Sequence, residues 1–248
     1  MKIVAGFHTR DDEWILPLKL KVLSKFCDAI VVCLDRPSEE VRKIIGSFPK
    51  VSSFEHVNTM GLPDHDDTSG PLCEEGAMRR EVFDHLVALQ PDFIILGDTD
   101  EIPTPDIIPF LQTAPTKYPV VDYFRIPIVN LFLDQEHYIC GRDCVWSPEH
   151  ERANKRGTII RYNPSRRYHY EVTRNCHVPT EPFILDETPS GLAKTFVYDL
   201  ISPRVLHYRF VNWARWSTSF KAGMKKYQDT LQEYSVKATP REWLWDLS

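Results

Sequence analysis

Glycine is scarce in this chain, 10 of 248 residues, and no Gly-x-Gly-x-x-Gly follows any strand-like run. That absence excludes a Rossmann dehydrogenase, whose dinucleotide needs those glycines for close backbone approach. Long apolar runs are missing too. The longest, Ala29-Ile30-Val31-Val32-Cys33-Leu34, falls far short of the roughly 18 residues of a membrane span. There is no block of like charge: 30 Lys+Arg against 35 Asp+Glu give a formal net charge of −5, which argues against a dedicated nucleic-acid binder. The opening Met1–Phe7 enters a strand-like run with no cleavage pattern, so a cytoplasmic protein is expected. The six cysteines stand at irregular spacings in a chain too long to need disulfide staples. Cys140, Cys144 and the Cys176-His177 pair have poor zinc-ligand spacing and are read as buried thiols.

What is present is ample for a core: 42% of residues are hydrophobic and 12% aromatic, which excludes disorder. The first hundred residues alternate between strand and helix patterns. Lys2–Phe7 reads as a strand, followed by a polar turn at His8-Thr9-Arg10-Asp11-Asp12. A helix carries Leu18, Val22, Leu23 and Phe26, with Pro17 tolerated in its first turn. Ala29–Leu34 is a second strand ending at Asp35, and Ser38 caps a helix with Glu39 and Glu40 in its first turn. Val51–Val57 is a third strand. A strong helix is predicted over Glu75–Leu89, with Met78, Val82, Phe83, Leu86 and Val87 on one face. Phe93–Leu96 is a compact buried strand running into Gly97-Asp98-Thr99-Asp100-Glu101, with a further helix starting near Asp106. Continuous apolar strands separated by helices predict an α/β fold with a mostly parallel central sheet covered on both faces.

The second half changes character. Residues 119–207 hold many prolines and short β-like runs such as Tyr123–Phe132 and Thr158–Tyr162, and are expected to form a mixed sheet with long loops. An amphipathic helix is predicted near the end, where Trp213, Trp216, Phe220, Met224, Tyr227 and Leu231 recur at helical spacing.

In open α/β sheets ligands lie beyond the carboxyl ends of the strands. The polar residues there are Thr9, Arg10, Asp35 and the cluster Asp98 to Glu101. Asp98 and Asp100, read as alternate residues on a strand extension, converge on one point. Two close carboxylates repel unless a cation lies between them. Hard oxygen ligands in a loop suit Mg²⁺ or Mn²⁺, which binds substrate phosphates while retaining waters.

These stretches, in order, resemble a GT-A glycosyltransferase of the family 2-like branch. The matching segments are His8 to Trp14 after the first strand, Asp35 after the second, and Glu75-Gly76-Ala77-Met78-Arg79-Arg80 opening a helix. Ile94 to Pro103 and Leu206-His207-Tyr208-Arg209 complete the set. The turn after the second strand departs from the family's pattern, reading Asp35-Arg36-Pro37-Ser38. The resemblance implies a metal-dependent enzyme, expected to be a hexosyltransferase. It would move sugar from a UDP- or GDP-linked donor to a glycan, lipid-linked or small-molecule acceptor. Residues 1–118 would form the nucleotide-sugar-binding half, and 119–248 the acceptor-side half of the same compact domain.

By the same resemblance Asp35 would accept a hydrogen bond from the base, with Thr9 and Arg10 near the nucleotide. Arg79 or Arg80 would reach the phosphates; being adjacent, at most one of them points inward. Asp98 would contact ribose or metal, Asp100 would bind the metal, and His207 would be the distant third ligand. Lys221 and Lys225 stand one turn apart and would offset diphosphate charge. For an inverting reaction the acceptor hydroxyl needs a carboxylate base. Asp143, Glu149 and Glu151 around Trp146 are the candidates, and Trp146 and Trp213 are candidates for stacking on sugar faces. Two alternatives stand beside this reading. One is a non-catalytic carbohydrate- or nucleotide-binding protein on a degenerate transferase fold. The other is a sugar-1-phosphate nucleotidyltransferase, disfavoured because His8–Asp12 contains no glycine.

Overall fold

The computed structural model describes residues 1–10, 12–58, 74–132, 135–140, 155–164, 167–169, 183–185, 197–200, 202–211 and 235–247. The predicted alternation of strand and helix is there. In chain order come β1 (Ile3–Thr9), α1 (Leu16–Ser24), β2 (Ala29–Leu34), α2 (Glu39–Gly46) and β3 (Val51–Glu55). They are followed by α3 (Glu74–Ala88), β4 (Phe93–Leu96), β5 (Glu101–Pro103) and α4 (Ile107–Lys117). Apart from a final 3-10 turn at Arg241–Trp243, the regular elements that follow are strands: β6 (Tyr123–Phe132), β7 (His137–Cys140), β8 (Lys155–Arg161), β9 (Arg167–His169) and β10 (Phe183–Leu185). Then come β11 (Val197–Asp199), β12 (Val205–Phe210) and β13 (Ser235–Ala238). The predicted helix over 213–231 lies outside the described residues.

Four parallel strands stand side by side in the order β3-β2-β1-β4. Their side chains show why this stretch folds as it does. On β1, Ile3, Ala5 and Phe7 face one way, as do Ile30, Val32 and Leu34 of β2 and Phe93 and Ile95 of β4. They pack against Leu16, Leu20 and Leu23 of α1, Val41 and Ile45 of α2, and Ile107 and Leu111 of α4. Val4, Val31, Cys33 and Ile94 face the other way and meet Met78, Val82, Phe83 and Leu86 of α3. Strands buried on both faces have no polar alternation, which is why they read as unbroken apolar runs. Each fully buried Phe or Leu among them is worth about 1.5–3 kcal/mol of transfer free energy.

Beyond β4 the sheet turns antiparallel: β8 pairs with β4, and β6 with β8. β7 pairs with β6, and β13 closes that end against β7. β12 lies parallel to β6 and antiparallel to β5. A mostly parallel first half with a mixed second half agrees with the Rossmann-like, GT-A kind of α/β fold.

Local signals are legible at the helix starts. Ser38 caps α2, its Oγ accepting from Val41 N at 3.2 Å. Several boundaries differ from expectation: β3 stops at Glu55 rather than Val57, and β8 runs over Lys155–Arg161 rather than Thr158–Tyr162. β1 continues through His8 and Thr9, which pair with Cys33 and Leu34, so the polar turn begins only at Arg10. Asp98 to Asp100 form a turn between β4 and β5 rather than a strand extension.

Candidate active site

The carboxyl ends of β1, β2 and β4 and the first turns of α3 meet at one edge. Because β1 alternates, Val4, Gly6 and His8 share the face that packs on α3. Gly6 has to be small there: a Cβ would stand 2.5 Å from Val82 Cγ1 and 2.7 Å from Leu86 Cδ1. The helix therefore lies close on the strand and brings Glu75 and Arg79, one turn apart, up to His8 and to Asp98 at the end of β4.

Arg79 organises this group. Its guanidinium donates to Glu75 Oε1, at 2.7 Å from Nη2 and 3.1 Å from Nε, and to Asp98 Oδ1. His8 Nε2 stands 3.8 Å from the same Glu75 oxygen, while its buried Nδ1 has no protein partner. A ring nitrogen and two carboxylate oxygens from His8, Glu75 and Asp98 lie within 4.8 Å of one another. That donor set has the chemistry to attract a cation, and the guanidinium already supplies positive charge to it. Arg80 points away, half exposed toward Asp84. Of the adjacent arginines, Arg79 is the inward one.

Charge follows from this packing. Burial and the Arg79 guanidinium both lower the His8 imidazole, so it is neutral at neutral pH. Burial alone would raise Asp98. The attraction of the adjacent Arg79 guanidinium, above all, outweighs it and holds the carboxyl well below the usual carboxylate range. Glu101, buried beside it, is pushed up by burial and by the Asp98 charge. Of these two acids, Asp98 is the one that stays ionised.

The second half of the acid turn faces β12. His207 pairs with Glu101 across the β5–β12 ladder, and its Nε2 stands 3.4 Å from Asp100 Oδ2. Both side chains are only partly exposed, 12% and 20%. The turn's backbone is pinned on several sides. Thr99 Oγ1 donates to His8 O at 2.8 Å, and Tyr208 N donates to Asp100 O at 2.9 Å. The Asp98 N–H donates to Glu101 Oε2 at 3.0 Å.

At the end of β2, Asp35 is 5% exposed and accepts from two arginines. Arg10 Nε donates to Oδ2 at 2.6 Å, and Arg36 Nε to Oδ1 at 2.8 Å. Arg36 sits in the left-handed region at φ 46°. Thr9 is buried, its hydroxyl donating to Asp12 Oδ2 at 3.1 Å, while its carbonyl receives Asp35 N at 3.0 Å.

Six of the residues singled out from the sequence (Arg10, Asp35, Arg79, Asp98, Asp100 and His207) thus stand along one edge, with Thr9 beneath it. Asp143, Trp146, Glu149, Glu151, Trp213, Lys221 and Lys225 lie outside the described residues. Sequence reasoning passed over His8 and Glu75 as members of this group. Strand alternation carried through His8 and the first turn of α3 was the signal that could have found them.

A divalent ion is implied by the resemblance. Among the described residues, three ligating side chains come within 4.8 Å of one another at His8, Glu75 and Asp98. Asp100 and His207 meet as a separate pair on the same turn, an oxygen and an imidazole nitrogen whose chemistry also suits such an ion.

No family model matches the chain, and no curated protein matches it. Several solved structures align with parts of the chain, each with a TM-score below 0.5. Residues 1–349 of TarS from S. aureus are 15% identical with a TM-score of 0.40, over 65% of this chain and 47% of that one. The mannosyltransferase PcManGT from Pyrobaculum calidifontis, in complex with GDP-Man and Mn²⁺, is 12% identical with a TM-score of 0.36. That match covers 50% of this chain and 35% of PcManGT. HddC from Yersinia pseudotuberculosis is 12% identical with a TM-score of 0.43, over 89% of this chain and 100% of that chain. The match thus spans less than half the length of the first two.

Proposed function

We propose that this chain is a metal-dependent glycosyltransferase that moves a sugar from a nucleotide-diphosphate donor to an acceptor hydroxyl. The observation that carries the reading is the acid turn. Asp100 stands beside His207, and Asp98 is kept ionised by Arg79, at the carboxyl edge of four parallel strands. A divalent ion held by Asp98, Asp100 and His207 would neutralise charge on the diphosphate.

The chain's own residues do the rest. Arg10, Asp35 and Thr9 line the ends of β1 and β2, where the nucleoside would lie. A base donating to Asp35 would share it with Arg10 and Arg36, so the acid recognises a hydrogen-bond donor while its charge stays compensated. Arg79 presents a fixed guanidinium near developing phosphate charge, the arrangement that lowers a barrier without reorganisation. Lys225, at the predicted final helix, would add a further cation.

In the transfer, the acceptor oxygen bonds to the anomeric carbon. The bond from that carbon to the phosphate oxygen breaks, and its electron pair stays on the diphosphate. With inversion the hydroxyl proton passes to a carboxylate, for which Asp143 and Glu149 are proposed. Residues 1–118 would serve the donor and 119–248 the acceptor.

Isothermal titration with UDP and GDP, with and without Mn²⁺, tests this. Nucleotide binding is expected to require the metal and to weaken by about tenfold to a hundredfold in Asp100→Ala. Binding that ignores the metal and survives the substitution would refute the assignment.

A further inference from the structure

Lys19 is the outlier of α1. Lysine is among the residues least often found fully buried, yet this one is 4% exposed. Its side chain runs inward, beneath the acid turn. Nζ donates to Asp98 O at 3.1 Å and also to Glu101 O, the two carbonyls that bracket the turn. It stands 5.4 Å from the centroid of the Phe7 ring, whose face favours a cation.

Glu101 completes the arrangement from the same side. It is 6% exposed and accepts the Asp98 N–H. Gly97 leaves the space for Glu101: a Cβ on it would stand 2.9 Å from Glu101 Oε2, while Lys19 Nζ at 3.9 Å would be at ordinary contact distance. The lysine's hydrogen bonds go to backbone rather than to the Asp98 or Asp100 carboxylates, which leaves those side chains to project on the ligand side. A helix otherwise engaged in core packing thus reaches across and fixes a turn about eighty residues further along the chain.

We propose that Lys19 is a positioning residue for the acid turn: it clamps the carbonyls of Asp98 and Glu101 so that the Asp98 and Asp100 carboxylates are held toward the ion and the donor. This rests on the glycosyltransferase reading for its purpose, though not for its geometry. Groups that orient ligands from behind commonly change metal affinity by about ten- to a hundredfold when removed.

The experiment measures Mn²⁺ binding by electron paramagnetic resonance in the full chain, alongside amide exchange of residues 97–102 read by mass spectrometry. Lys19→Met is expected to bind Mn²⁺ about tenfold more weakly or worse. Exchange should accelerate in the turn while β2 keeps its protection. Gly97→Ala, which crowds Glu101 Oε2 where it accepts the Asp98 N–H beside Lys19, is expected to do the same and serves if Lys19→Met does not fold. Unchanged affinity and unchanged exchange in a folded variant would overturn the proposal. If the parent chain binds no Mn²⁺, the functional reading falls by itself and the exchange of the turn alone decides the clamp.

Discussion

Arg79 is the single residue on which most of the site's charge depends. It lowers His8, Glu75 and Asp98 together, and the consequence for stability has a definite sign. A histidine lowered in the folded state loses stability as pH falls from its unfolded value, about 6.5, through its native one. A depressed carboxylate contributes stability that is present above its unfolded value, about 3.9 for Asp, and is lost as pH falls through the native value. Both losses run in the acid direction, in two successive windows. Burial is the larger cause of the His8 depression and stays in Arg79→Met, but the variant removes the Arg79 share and leaves Glu75 and Asp98 to repel each other. The variant should therefore show a shallower fall in unfolding free energy below about pH 6.5 than the parent chain. Urea denaturation across that range in a chelating buffer measures it, and an equally steep fall would count against the charge assignment. Asp98 and Asp100 were readable as candidates from residue type and order, whereas His207 was a candidate only through the family resemblance. The fact that Lys19 reaches the same turn was not, because a lysine at that spacing reads as part of a solvated helix face.

At the scale of elements, the pairing of β1 with α3 sets the site's dimensions. Gly6 is where the two come nearest, and Val82 and Leu86 close the gap. Gly6→Ala should cost about 1–3 kcal/mol through overpacking, visible as a lower urea midpoint with an unchanged slope. Since the displaced helix carries Arg79, the same variant should weaken any ligand held against Asp98. Helix and strand identities in this half were legible because apolar runs, the Ser38 cap and the face carrying Met78, Val82, Phe83 and Leu86 are local signals. What the residues left open was reach. Two more paired residues extend β1 to Thr9, and the bonds that do this come from β2 rather than from β1's own sequence. The turn at Asp98–Asp100 likewise depends on β5 finding β12, about a hundred residues away.

Across the whole molecule, β6 is the strand that gathers the later part of the chain. β7, β8, β11 and β12 all pair with it, and through β12 it delivers His207 to the first half. The last described segment returns to the start: Trp245 stacks on Phe26, and its Nε1 donates to Pro103 O at 2.6 Å, just past the acid turn. Pairings between such distant stretches leave no periodic trace, so the mixed character of this half was readable and its register was not. Three parts of the chain converge on the acid turn's backbone. α1 engages the oxygens of Asp98 and Glu101, β12 engages that of Asp100, and Thr99 anchors the turn to β1. With the carbonyls of Asp98, Asp100 and Glu101 already accepting protein hydrogen bonds, coordination at this place is expected to come mainly from carboxylates, imidazole and solvent. Calcium, which takes six to eight oxygens and often recruits main-chain carbonyls, is then expected to be a feeble competitor. A large excess of it added to the Mn²⁺ complex should leave the paramagnetic signal of bound manganese nearly intact.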